Sequence, residues 1–81
     1  MSGDEIEADI IEDCVGLFCP EPIFRTRKAF DRLDIGQVLE VIADDPAAEE
    51  DLKRWAKRMG QELMCIRNDD GELHIFIKRL T

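Results

Sequence analysis

Three cysteines and one histidine carry the nucleophilic and ligating chemistry of this 81-residue chain, and one of them stands apart. Cys19 opens the run Cys19-Pro20-Glu21-Pro22, in which two prolines stiffen the backbone on either side of an acidic residue. An apolar, extended stretch precedes it, and from Ile23 to Leu33 apolar residues recur at helical spacing, so the sulfur sits between a strand and a helix. A residue before proline is pushed out of the helical region, which predicts an extended Cys19 and Glu21 and a helix beginning at or just after Pro22. First-turn amides would then face the sulfur, and the positive end of the helix macrodipole would favour its thiolate by about 0.3–1 kcal/mol at an exposed site. Such placement lowers a cysteine pKa from ~8.5 toward neutrality. Glu21 opposes the effect with its own negative charge, so the expectation is a moderately activated nucleophile.

The other candidates have plainer readings beside their chemical ones. Cys14, five residues upstream, is placed either to resolve an oxidised Cys19 as a disulfide, making a redox switch, or simply to pack. Cys65 lies within an apolar strand and reads as structural. His74 alternates outward from Leu73 and Ile75 and reads as a solvated strand residue, with a general-base role as the sharper alternative. Cys14, Cys19 and one histidine supply no metal-ligand spacing, so neither a metal nor a cofactor is expected. The paired carboxylates Asp44 and Asp45 are explained by helix capping.

Composition narrows the function classes. A chain this short makes one small domain over residues 1–81, with residues 1–5 expected to fray and no room for a deep cleft. With 44% hydrophobic and 37% charged residues it suits a folded soluble protein. A net charge of −8 excludes general phosphate-driven binding of nucleic acid, so no direct nucleic-acid partner is expected. No apolar run approaches the ~20 residues of a membrane span, and the acidic start is unlike a secretory signal. A cytoplasmic setting with free thiols follows as the expectation.

The elements that must position Cys19 follow from periodicity. Ile6 to Asp13 reads as a first strand and Gly16 as a turn. In the first helix Ile23, Thr26, Phe30 and Leu33 form the buried stripe, while Arg25, Lys28 and Arg32 form a basic stripe away from it. Gln37 to Ala43 is apolar on both faces except at Glu40, as a central strand is. Asp44-Asp45-Pro46 is a helix start, with Asp45 as cap and Pro46 in the first position. Ala48, Leu52, Trp55 and Met59 form that helix's buried face, and Gly60 its left-handed terminator. Leu63 to Arg67 and Leu73 to Arg79 are strands joined through Asn68-Asp69-Asp70-Gly71. The order β-α-β-α-β-β predicts an α/β fold of the α+β two-layer kind: a four-stranded mixed sheet with two helices on one face. In an acidic chain a basic stripe one turn beyond the cysteine also suits partner docking, through Arg25, Lys28 and Arg32.

Taken together, Gly16-Leu17-Phe18-Cys19-Pro20-Glu21-Pro22, Arg27-Lys28, Ile42-Ala43-Asp44-Asp45-Pro46-Ala47 and the segment from Trp55 to Leu63 resemble the TusA/SirA-like family of small sulfur-carrier proteins. The resemblance runs from about Ile10 to the C-terminus. It implies a fold like the C-terminal domain of a bacterial translation initiation factor. It also implies a sulfurtransferase-type carrier without turnover of a free small substrate. Cys19 would accept sulfur as a persulfide from a cysteine desulfurase or rhodanese-like donor, supported by Pro20, Glu21 and Pro22. An acceptor protein would then take that sulfur for tRNA thiolation, molybdenum-cofactor maturation or sulfur oxidation. Phe18 stands where tRNA-pathway members are often basic and Gln61 where a histidine is common, so the resemblance specifies the carrier and leaves the pathway open.

Overall fold

A computed structural model of the protein describes residues 6–81. The elements run β1 (Ile10–Asp13), α1 (Glu21–Phe30), β2 (Val38–Ala43), α2 (Pro46–Met59), β3 (Glu62–Asp69) and β4 (Glu72–Lys78). They build a mixed sheet in the order β1-β2-β4-β3. β1 pairs parallel with β2 across the α1 crossover, and β4 lies antiparallel to both β2 and β3. The predicted α+β architecture with its four strands and two helices is therefore the observed one. The frayed end expected for residues 1–5 lies outside the described residues.

One face of the sheet holds the core. Leu39 and Val41 of β2 and Ile75 and Ile77 of β4 are fully buried in one cluster with Ala29, Phe30, Leu52 and Trp55 of the two helices. Phe30 and Trp55 meet edge to face, with centroids 5.1 Å apart and planes at 85°, and so join α1 to α2. Edge-to-face pairs of this kind add about 0.5–1.5 kcal/mol beyond their buried area.

β1 is shorter than its apolar pattern suggests. Its ladder with β2 starts at Ile10 opposite Leu39. Just before it, the Asp9 N–H donates to Val38 O (2.8 Å) while the Asp9 carboxylate accepts from Val38 N (2.8 Å). β2 begins at Val38, so residues 6–8 have no facing strand to pair with, and Asp9 closes the ladder with a side chain.

α2 follows its sequence signals. Asp45 has extended backbone and accepts from Ala47 N, Pro46 occupies the first turn, and Gly60 takes φ 73°, where a residue with a Cβ is disfavoured. Its buried face is Ala48, Leu52, Trp55 and Ala56. Met59 is half exposed, contrary to the expected stripe. It is the last helical residue and the chain reverses at Gly60 directly after it.

α1 departs further. It begins at Glu21, ahead of Pro22, and ends at Phe30, so Leu33 is buried from the turn beyond the helix. Its buried face is Pro22, Thr26, Ala29 and Phe30, a wider stripe than the one expected, with Ile23 only partly covered. The hairpin is tighter than predicted, because β3 and β4 run on to the Asp69–Glu72 pair. Only Asp70 (φ 56°) and Gly71 (φ 90°) turn, the double positive φ that a two-residue hairpin of the type I′ kind requires.

Candidate functional site

The loop between β1 and α1 is a product of local turns tied to the neighbouring helix start. Cys14 to Leu17 form a turn closed by Leu17 N donating to Cys14 O (3.1 Å), with Gly16 at φ 85°. The Gly16 N–H is held by Asp44 Oδ1 at 2.9 Å. Three residues on, the Cys19 N–H is held by Asp45 Oδ2 at 3.2 Å, while the same carboxylate's Oδ1 caps α2 through Ala47 N (3.1 Å). The two aspartates that sequence reasoning assigned to capping therefore also pin the cysteine loop to the β2–α2 junction. Local sequence carries no signal for that second role, since the partners lie 28 and 26 residues apart.

The sulfur itself is exposed, and its surroundings differ from those expected. The first turn of α1 has no amide to offer it. Glu21 N donates to Phe18 O (2.8 Å), Ile23 N and Phe24 N both donate to Pro20 O (3.1 and 3.2 Å), and Pro22 has no N–H. This also explains why the helix accommodates Glu21 before Pro22: the missing donor falls where the turn needs none. Cys19 Sγ instead donates to Asp51 Oδ2 of α2 at 3.0 Å. That hydrogen bond, followed by partial desolvation and the negative charges of Asp51 and Asp45, pushes the thiol pKa up from its ordinary value, with Arg54 pulling the other way. The expected thiolate-stabilising helix end is thus replaced by an acidic neighbour that favours the thiol. Asp51 escaped the sequence reading because it looks like one more acidic residue in the first half of α2.

Pro20 and Pro22 frame the sulfur on the chain side, with Pro20 as the residue before helix α1 and Pro22 buried; the Cys19–Pro20 peptide is cis. Phe18, the residue before Cys19, is 74% exposed, and Phe24 and Val15 are also substantially exposed. The basic stripe is partly committed: Arg25 and Arg32 both reach Glu12 of β1 at 3.6 Å. Lys28 lines a shallow groove along the outer face of α1 with Glu21, Phe24, Arg25, Arg27 and Asp31.

The remaining candidates lie elsewhere. Cys14 has no solvent exposure and belongs to the core cluster, and burial, its largest influence, pushes its thiol up to about 11. A fully covered, protonated sulfur is a poor partner for the exposed Cys19. Cys65 is half-buried and pairs with Phe76 after a register shift at Met64. His74 is not simply solvated. Its Nδ1 lies 2.6 Å from Glu40 Oε2 and its Nε2 3.2 Å from Glu72 Oε1, and the Glu40 hydrogen bond raises its pKa from the ordinary value. This pairing was missed because Ile42, and not Glu40, is the residue directly opposite His74 in the β2–β4 register. Among the described residues no helix is long and apolar enough to cross a membrane.

A two-layer α+β protein that presents one exposed thiol ahead of a Pro-x-Pro helix start, on a loop bound to its second helix, is a thiol-bearing module with a surface tip. The family model described as sulfurtransferase TusA matches residues 10–79, and the chain belongs to that family. A putative sulfur carrier protein of Archaeoglobus fulgidus is 48% identical over 67 residues, covering 82% of this chain and 87% of the relative. The sulfur carrier protein TusA of Allochromatium vinosum is 43% identical over 67 residues, covering 83% and 88%. In three dimensions the chain is similar to the crystal structure of a SirA-like protein from Desulfitobacterium hafniense. The TM-score is 0.78 at 27% identity, over 89% of this chain and 99% of that one.

Proposed function

We propose that this protein is a sulfur carrier that bears its cargo as a persulfide on Cys19. The observation that carries the reading is the exposed Cys19 sulfur on a pinned loop, in a member of the TusA family whose relatives bear the names of sulfur carriers. In the loading step the deprotonated Cys19 Sγ attacks the outer sulfur of a donor persulfide, R–S–S–H. A new S–S bond forms at Cys19, the donor's own S–S bond breaks, and the electron pair leaves on the donor thiolate, which takes up a proton. No outside oxidant or reductant enters. Delivery is the same exchange run against an acceptor thiol.

A cysteine desulfurase or rhodanese-like protein is the donor, and the acceptor serves tRNA thiolation, molybdenum-cofactor maturation or sulfur oxidation. The exchange needs access for a visiting thiol and no pocket, which suits one small domain working in the reducing cytoplasm. Phe18 and Phe24 supply apolar contact for either partner, and Lys28 with Arg25 and Arg32 orients it. Pro20, Glu21 and Pro22 support the motif.

The test is intact mass after incubation with a cysteine desulfurase and free cysteine. Wild-type protein gains sulfur and Cys19→Ser does not, a loss of essentially all loading. Equal gain by the variant would overturn the assignment.

A further inference from the structure

Resting on the carrier reading, we propose that Asp51 is a positioning residue for the relay: it holds the unloaded Cys19 sulfur in one direction and in its protonated form, so that an exposed nucleophile stays slow toward bystander electrophiles. The sulfur of a carrier must be open to two large partners in turn, and such openness exposes it equally to every small oxidant and electrophile. Ionisation is the remaining control, because the thiolate is the reacting form.

Three observations place that control in Asp51. Its Oδ2 accepts from Cys19 Sγ at 3.0 Å. Its Oδ1 is held at 3.4 Å by Arg54, and while Arg54 is largely exposed the Asp51 side chain keeps only 20% of its surface, so the carboxylate has a defined position. Finally, the Cys19 backbone is fixed by Asp45, the cap of the same helix. One rigid element, α2, therefore sets both the main chain of Cys19 and the acceptor for its side chain. No amide of α1 competes, because those of its first turn are bonded to Phe18 O and Pro20 O.

The charged groups acting on the sulfur from α2 are Asp51 and Asp45, which disfavour the thiolate, and Arg54, which favours it. From α1 the nearest charge along the chain is Glu21. Replacing Asp51 by asparagine removes a charge and an anionic acceptor together, leaving a side chain of the same size. The thiolate fraction then rises at neutral pH and outruns the accompanying fall in intrinsic nucleophilicity. Removing Arg54 has the opposite sign.

The experiment is the pH profile of iodoacetamide labelling at Cys19 in the unloaded protein, read by fragment-ion mass so that Cys14, which shares a tryptic peptide with Cys19, and Cys65 do not contribute. Asp51→Asn is expected to move the labelling midpoint toward acid and to speed labelling at pH 7 by roughly threefold. Asp51→Glu keeps an anionic acceptor and stays near wild type, and Arg54→Gln slows labelling. Opposite shifts cannot come from loosening, which would expose the sulfur alike in both variants. Superimposable profiles for wild type and Asp51→Asn, or shifts of the same sign for Asp51→Asn and Arg54→Gln, would overturn the proposal. Should Asp51→Asn not fold, Arg54→Gln still decides, since its side chain is largely exposed and labelling at the wild-type rate refutes the charge control. Labelling is independent of persulfide loading, so a failed carrier reading and a failed role for Asp51 give different results.

Discussion

The two helices of this protein are bounded in opposite ways. α2 carries its own punctuation: an aspartate cap, a proline in the first turn and a left-handed glycine at the end. α1 has no side-chain cap at its start, and Asp31, the residue after its last turn, keeps ordinary right-handed helical geometry. Its start is closed by the loop carbonyls of Phe18 and Pro20. Its far end is met by Arg79, whose guanidinium donates to Phe30 O at 3.2 Å and to Leu33 O. The helix that follows the cysteine is thus delimited by the rest of the molecule, while the helix that does not contain the motif supplies the fixed frame. Cys19 stands before α1 in sequence, yet its backbone and its sulfur are both bonded to aspartates of α2 and its cap.

The difference is broken most directly at Arg79. If α1 depends on remote partners, Arg79→Ala strips two carbonyls of their donor at once, and hydrogen bonds to charged groups contribute about 1.5–3 kcal/mol. A loss of about 2 kcal/mol in urea-unfolding stability is expected. A change below about 0.5 kcal/mol would mean that the end of α1 is satisfied without it.

The complementary test is Asp45→Ala, which removes the cap that α2 carries in its own sequence. Caps of this kind contribute about 0.5–2 kcal/mol, and the same change frees the Cys19 N–H. The expected result is a loss of about 1 kcal/mol by thermal or urea unfolding, together with broader amide exchange in the loop from Val15 to Cys19. Exchange confined to α2 would show that Asp45 acts as a cap alone.

What was legible in the sequence divides along the same line. α2, the hairpin glycine and the inward residues of β4 follow from short-range chemistry, namely caps, positive-φ turns and period-two alternation. The position of Cys19 between a strand and a helix was equally readable. The setting of its sulfur was not, because Asp44 and Asp45 hold its loop and Asp51 its sulfur across 26 to 32 residues. The start of β1 and the Glu40–His74 pair escaped for the same reason, since each depends on which strand lies beside which. Local pattern singled out the cysteine that the structure leaves exposed, and tertiary contacts set the surroundings of its sulfur.

The smallest expected effect sharpens the contrast from inside α1. Thr26 faces the core with no solvent exposure, and its Oγ1 has no hydrogen-bond partner. α2 buries only apolar side chains on its inner face, so it has no such debt. A buried hydroxyl without a partner loses its hydration with nothing in return, whereas an apolar group of the same shape loses nothing. Valine matches threonine in shape, has a similar helix propensity and prefers one side-chain rotamer in a helix. Thr26→Val should therefore raise unfolding stability by up to about 1 kcal/mol, read as a shift of the urea midpoint at unchanged m-value. It should leave sulfur loading at Cys19 as it was, because the loop is fixed by α2. A destabilised variant would mean that the hydroxyl is satisfied in solution, and that α1 is better matched to its core than its bonding indicates.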